Sequence, residues 1–301
     1  MTLQPSRRAF LTGGRLFGGP WGRFCHRLGR LVKGRFEDRT PGREDPGTGW
    51  LSPARREDVY HARALCAEMN VQLALAGSQA AVRGPALWVD PASLRALEAL
   101  PGGIWRCEPG IPVGELRSRG LCPGAEGADD EPVILWLSRL RGRAAHRVVL
   151  GESGLEAAEV LLFDGQSDRL ARFGAATQRA PLGAALRDVV SESFRLAQRA
   201  DLQRWREAGA DWPARYRLDA LWRDEPNLAH LLAGSQGTLA WVETLEWRMP
   251  AAVAAEAAAA LPAATPGDAV LTAWIEESVK QSFDPQDVLP RLAPESGPAG
   301  S

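Results

Sequence analysis

The chain has 301 residues, enough for one large domain or two small ones. Apolar residues make up 45% and charged residues 24%, a globular composition that excludes global disorder and a fibre. The formal charge of −1 excludes a net basic surface and argues against non-specific nucleic-acid binding as the main role. No run of about 18 apolar residues occurs, so no membrane-spanning helix is expected. Cys25, Cys66, Cys107 and Cys122 form no CxxC pair, and His26, His61, His146 and His230 show no HExxH spacing. This pattern argues against a zinc ribbon or an iron–sulfur cluster held by this chain alone, and no metal ligand set is expected.

Residues 1–44 carry ten basic and three acidic side chains, a charge of +7, which leaves −8 for the remainder. Within them Ser6-Arg7-Arg8-Ala9-Phe10-Leu11 resembles the twin-arginine export signature. Arg15 interrupts the apolar stretch that follows, and no small-x-small cleavage site precedes the next basic residues. Three readings stay open: a working export signal, a decayed one, or a basic arm that docks on something acidic. A cytoplasmic location is expected over export. Pro41 to Gly49 reads as a linker, and the folded domain is expected to begin near Trp50.

Ser52-Pro53 is a hydroxyl cap followed by a first-turn proline, which predicts a helix. Val59, Ala62, Leu65, Cys66 and Met69 fall on one face of it, so Cys66 reads as a core residue. Asn70 ends that helix, and Val71, Leu73 and Leu75 alternate as a short strand. Ala76-Gly77-Ser78-Gln79 is a small-residue turn, followed by a second strand at Ala86–Val89. Asp90-Pro91 predicts another helix, through about Leu100. Ile104–Cys107 is a third strand that runs into Glu108-Pro109-Gly110, and Val113–Leu116 starts a short helix. This order implies a layered α/β unit. The turn after the first strand is where such units hold phosphate on backbone amides, although one glycine also fits an ordinary turn.

The blocks LSPARREDVYHARALCAEMNVQLALAGSQ, ALWVDPASLRALEAL and IWRCEPGIPVGEL resemble the FAD-binding (PCMH-type) domain of the flavin oxidases typified by vanillyl-alcohol oxidase and p-cresol methylhydroxylase. Glu108-Pro109-Gly110-Ile111 followed by Gly114-Glu115-Leu116 is the most specific part. Gly154 through Asp164-Gly165 resembles the family's hairpin, and Asp164-Gly165 is a strong hairpin turn in its own right. Tyr216 to Trp222 resembles the "G-Y-D-L-x-x-L" stretch. Asn227 to Ala240 resembles "d-L-x-x-L-x-x-G-S-E-G-T-L-G". Val279 to Pro285 resembles the "i-K-x-x-F-D-P" helix exit. The matches span residues 51–290 in family order.

The resemblance implies an α+β fold of two subdomains, a small α/β layer and a larger antiparallel sheet with helices, with FAD between them. It divides the chain into the basic segment and linker at 1–49, the FAD-binding domain at 50–250, and a vestigial cap helix, FDP segment and tail at 251–301. Carried over by position, Ala76, Gly77, Ser78 and Gln79 face the FAD pyrophosphate. Gly110, Gly154, Gly234, Ser235, Gly237 and Thr238 line the cofactor.

Four departures stand beside the matches. The expected phosphate loop has one glycine where relatives have several. Gln236 replaces a glutamate. The stretch from Trp136 to Gly151 carries Arg139, Arg141, Arg143 and Arg147 where relatives have small residues against the flavin, and these arginines read as a solvated face. Only 32 residues, 251–282, stand where larger relatives hold a substrate domain, and they begin with an alanine-rich helix at Ala251–Leu261. No general base is named. His230, Tyr216 and Asp219 are the candidates, and each has a plain alternative as a packed histidine, a satisfied core tyrosine and a solvated charge.

A shortened cap resembles the small FAD-binding subunit of glycolate oxidase, which works beside a larger flavin subunit and an iron–sulfur subunit. Three readings follow; the third, placed below the two set out next, is a small-molecule enzyme of another kind on the same fold. One is an FAD-dependent oxidoreductase subunit acting in oxidation of a 2-hydroxy acid such as glycolate or D-lactate. The other is a degenerate, non-catalytic structural or assembly subunit that has lost FAD.

Overall fold

The computed structural model describes residues 19–42, 45–122, 129–173, 183–208, 212–249 and 269–294. The Arg7-Arg8 segment and the alanine-rich stretch at 251–261 lie outside the described residues.

The first helix, α1 (Gly19–Leu31), buries Phe24 and Leu28, one turn apart on one face. Trp21 stacks on Phe24 with ring centroids 5.0 Å apart. A methyl group at Gly47 would strike the Trp21 ring at 2.0 Å, so the indole lies flat on the backbone there. Strands β1 (Arg35–Asp38) and β2 (Thr48–Ser52) pair antiparallel. The folded unit therefore reaches back to Gly19. The expected start near Trp50 falls inside β2, and the expected linker is the connection between two paired strands.

Helix α2 (Arg56–Met69) begins after Ser52-Pro53, because Ser52 is held in β2. Val59, Ala62, Leu65 and Cys66 are buried as the spacing predicts, and Asn70 closes the helix in the left-handed region with φ 54°. The crossover through α2 places β3 (Gln72–Leu75) parallel to β5 (Ala86–Val89), with β4 (Ala80–Ala81) between them in sequence. The small sheet has the order β1-β2-β5-β3.

The helix expected from Asp90 to Leu100 is not formed. A single 3-10 turn occupies Pro91–Ser93, capped by the Asp90 carboxylate on the Ala92 amide at 3.0 Å. Strand β6 (Leu97–Leu100) follows and pairs antiparallel with β7 (Ile104–Cys107). The reason lies in Gly102 and Gly103, both at positive φ, which turn the chain straight back on itself. Helices α3 (Val113–Arg117), α4 (Val133–Arg139) and α5 (Gly142–Val149) lead to β8 (Leu155–Leu161) and β9 (Ser167–Ala171). The Asp164-Gly165 turn joins β8 to β9, with Gly165 at φ +83°.

After α6 (Ala184–Ala197), α7 (Ala200–Glu207) and two 3-10 turns at Leu218–Trp222 and Leu228–Leu232 comes β10 (Trp241–Arg248). It slots between the two earlier hairpins, so the larger sheet reads β6-β7-β10-β8-β9 and is antiparallel throughout. A strand paired on both edges and covered on both faces is buried along its length, and only Arg248 reaches solvent. Helix α8 (Ala269–Phe283) then returns the chain to the small sheet. There β11 (Arg291–Leu292) pairs with β4, and the Leu73 amide donates to the Val288 carbonyl at 2.8 Å, covering the exposed edge of β3. The expected α+β architecture of a small mixed sheet and a larger antiparallel sheet is the one present. Among the described residues no helix is long and apolar enough to cross a membrane.

One buried carboxylate ties the amino-terminal elements to α2. Asp58 accepts hydrogen bonds from the amides of Lys33 (2.9 Å), Gly34 (2.8 Å) and Ala54 (2.9 Å). Burial works to raise its pKa, but those three amides and the Arg55 guanidinium outweigh burial and hold it below the ordinary 3.8. The stability it contributes is complete above the ordinary carboxylate range and is lost as pH falls through the lowered value. Asp58→Asn is expected to cost about 2–3 kcal/mol at neutral pH, since an amide nitrogen then faces backbone donors. In urea denaturation followed against pH, the gap between wild type and variant should close as pH falls below 3.8.

Candidate functional site

The loop expected to meet a pyrophosphate leaves the end of β3. The Ala76 amide bonds to the Val89 carbonyl at 2.9 Å and the Ser78 amide to the Leu75 carbonyl at 3.1 Å, so the chain turns tightly through Gly77 at φ +85°. The Gln79 amide does not point into open space. It donates to the Gln236 side-chain carbonyl at 2.9 Å. Two expected cofactor segments that lie far apart in sequence, 76–79 and 234–238, are thereby joined.

Helix α4 lies against both. The Gly234 amide donates to Leu137 (3.0 Å), the Gln236 amide to Ser138 (2.9 Å), and the Ile134 amide to Pro109 (3.2 Å). Leu135 packs on Gly77, where a methyl group would sit 3.0 Å from its Cδ1. Arg139 caps the Gly77 carbonyl and pairs with Glu131 at 2.7 Å. Trp136 meets Trp247 of β10 at 6.2 Å between ring centroids. Val133 through Ser138 are all buried. Sequence reasoning read this stretch by its arginines. The missed signal is Pro132 followed by Val-Ile-Leu-Trp-Leu, a proline start and an apolar run with no polar face.

The three expected segments around Gly77, Gly110 and Gly237 thus converge on one helix. The cavity bounded by Leu75, Pro109, Ile134, Ser235, Gly237 and Trp241 measures about 10 Å³, room for about one water. Organic ligands occupy roughly 300–1,000 Å³. A cavity of that size does not itself admit an FAD. Ser78 Oγ is buried there without a hydrogen-bond partner among the described residues.

The remaining expected residues divide by role. Gly110 is required by backbone packing, since a methyl group there would lie 1.8 Å from the Pro91 carbonyl. Gly234, at φ +77°, faces the carbonyls of Leu140 and Arg215 at under 3 Å from a would-be methyl group. Ser235 is buried inside the same turn, and its carbonyl accepts from Thr238 Oγ1 at 2.6 Å. Thr238 Oγ1 also meets the Tyr216 hydroxyl at 2.7 Å. Gly154 is not brought to this cluster. It precedes Leu155, which pairs with Trp247, whereas the cluster sits at the Trp241 end of β10. Six residues of strand separate those ends by roughly 20 Å.

The candidate bases take structural places. Burial pushes the Tyr216 phenol up, and its hydroxyl is satisfied by Thr238. Asp219 is not a solvated charge. It is buried and pairs with the equally buried Arg217, whose Nε donates to it at 2.9 Å, and His146 Nδ1 stands 3.3 Å from the same guanidinium. His230 lies at the Leu155 end of β8 and donates from Nε2 to the Leu155 carbonyl at 3.1 Å, away from the Gly237 cluster.

Gly237 and Gly102 offer a controlled comparison. Both hold positive φ, but a methyl group at Gly237 would meet Leu75 Cβ at 2.8 Å, while none at Gly102 meets anything within 4 Å. Gly102→Ala is expected to cost about 1 kcal/mol for the left-handed backbone alone. Gly237→Ala should cost at least about 2 kcal/mol more, read as a larger drop in urea midpoint at unchanged slope.

No protein-family model matches the chain, and no curated protein matches it. Solved structures do resemble it. A chitooligosaccharide oxidase superposes with a TM-score of 0.42 at 13% identity, over 75% of this chain and 42% of its own. Acremonium strictum glucooligosaccharide oxidase, whose structure is described as revealing a novel flavinylation, gives 0.44 at 15%, over 75% and 42%. 6-Hydroxy-D-nicotine oxidase from Arthrobacter nicotinovorans gives 0.41 at 9%, over 72% and 42%. The chain spans under half the length of these proteins. These three structures are named as oxidases, and the likeness is one of fold.

Proposed function

We propose that this chain is a flavin-oxidase-type domain that has given the cofactor's place to its own helix and serves as a non-catalytic structural or assembly subunit. The observation that supports this most is the cavity of about 10 Å³ left where the three expected cofactor segments meet. Two of the donors beside the Gly77 turn are engaged by protein. Gln79 N–H bonds to Gln236, and Arg139 bonds to the Gly77 carbonyl and Glu131. No side chain in the cluster is placed as an acid or base, since Tyr216 and Thr238 satisfy one another. In this reading a larger flavin subunit and an iron–sulfur subunit hold the redox chemistry, and this chain contributes a rigid surface to their assembly.

A second reading is favoured by one specific feature, the unpartnered Ser78 Oγ beside the Gly77 turn. In it the chain is an FAD-dependent oxidoreductase subunit acting on a 2-hydroxy acid such as glycolate or D-lactate. Ser78 and the turn amides would then hold the FAD pyrophosphate, the Gly234–Thr238 turn would lie along the ring, and bound FAD would supply hydride acceptance.

Absorbance of the purified, untagged protein, before and after acid precipitation, separates the two. The expected result is a protein without flavin bands that shows no saturable quenching of added FAD fluorescence. Flavin at near-equal molar ratio, or saturable uptake, would overturn the non-catalytic reading. Dye reduction with glycolate and D-lactate would then test the second.

A further inference from the structure

A second concave site lies at the other end of β8. The carboxy-terminal end of α5, the end of β9, helix α7 and the segment from Trp222 to His230 enclose a cleft of about 500 Å³, in the range that small organic ligands fill. Its walls carry Arg172, Arg206 and Arg223, with Asp224 and Glu225 on the rim and His230 on the floor. Arg172 is tied to Glu156 at 3.6 Å and to Glu225 at 3.4 Å. Arg206 and Arg223 have no carboxylate within ion-pair distance among the described residues, and both are exposed. Arg206 lies over the Trp222 ring at 5.7 Å, which fixes its side chain at the mouth.

His230 gives the second, independent observation. It is 5% exposed, its Nε2 donates to the Leu155 carbonyl, and its Nδ1 is buried with no hydrogen bond. Because a carbonyl can only accept, Nε2 carries the proton and Nδ1 holds a lone pair. Burial pushes the ring's pKa down to about 4, the Leu155 carbonyl opposes this, and the positive charges of Arg172 and Arg223 add to the fall. The Val149 carbonyl favours the protonated ring. Two guanidiniums therefore bear on one neutral, unsatisfied imidazole at the base of an open cleft.

We propose that this cleft binds a small organic anion, a carboxylate or a phosphate ester, between Arg206 and Arg223. Burial keeps His230 neutral, and a negative charge there offsets the guanidinium field that adds to it. At pH near the ring's pKa, binding is accompanied by proton uptake, a solvent proton forming the Nδ1–H bond. Asp224 and Glu225 set the limit, since a highly charged anion meets them at the rim. The inference is independent of whether the chain holds FAD, because the cleft and the Gly237 cluster lie at opposite ends of β8.

The test uses the whole chain with inorganic phosphate, benzoate and citrate as probes. Binding heat is measured by calorimetry, and the His230 ring resonance, assigned with His230→Asn, is followed by NMR against pH. At least one probe should bind saturably and move the His230 titration upward from about 4. An Arg206→Ala/Arg223→Ala double variant should weaken that binding at least about tenfold, with an unchanged melting temperature because both side chains are exposed. No heat and no movement of the His230 resonance with any probe would overturn the proposal. So would a folded double variant that binds as well as wild type.

Discussion

One apolar helix, α4, packs on the turn after β3 through Leu135 and on β10 through Trp136, and so ties the two sheets together. Burying the Val133, Ile134, Leu135, Trp136 and Leu137 side chains of α4 contributes of order 10 kcal/mol, at about 1.5–3 kcal/mol for each large residue. That is comparable to the whole stability of an ordinary domain. The polar groups around α4 confirm the packing at finer scale, since the amides of Ile134, Gly234 and Gln236 all find partners across the helix boundary.

What holds the Gly234–Thr238 turn from behind is the carboxy-terminal clasp. The Lys280 ammonium is almost fully buried and donates to the Thr238 carbonyl (2.9 Å), the Leu289 carbonyl (3.1 Å) and Asp284 (2.6 Å). Asp284 in turn accepts the amides of Val288 and Leu289. Burial pulls the Lys280 pKa down, and Asp284 works against that. A paired, fully hydrogen-bonded charge of this kind adds little net stability, but removing one partner leaves an uncompensated buried ion. The K-x-x-F-D-P and G-S-Q-G-T segments, which are distant in sequence, are therefore one structural unit. Their joint occurrence follows from packing and does not by itself require a cofactor.

The sequence made the local elements legible where period and punctuation agree. Helix α2 with its Asn70 stop, strands β3, β5 and β7, and the Asp164-Gly165 hairpin all show this. It misled where a partner decides the outcome. Leu97 to Leu100 reads as the tail of a helix, yet the Gly102-Gly103 turn delivers it to β7, and ladder pairing overrides local propensity. Helix α1 and β1 were hidden inside a basic, glycine-rich stretch because only two residues of α1, Phe24 and Leu28, are buried. Asp219 reads as a surface charge because nothing in a single sequence states that Arg217, two residues away, turns inward with it.

Two departures from the family pattern explain one another once the geometry is known. Gln236 stands in the left-handed region at φ 54° and is 1% exposed. A carboxylate in that position would be a buried charge, and it would need a cation or a set of donors to offset its desolvation. The neutral amide needs only one donor for its carbonyl, and the Gln79 amide supplies it. That same amide belongs to the loop whose glycines have thinned to one. A loop that binds its own turn through a single hydrogen bond needs neither the extra glycines, which serve close approach to an anion, nor a charged partner across from it. The single glycine at 76–79 and the neutral side chain at 236 are thus the two sides of one contact, between the loop after β3 and the turn before β10.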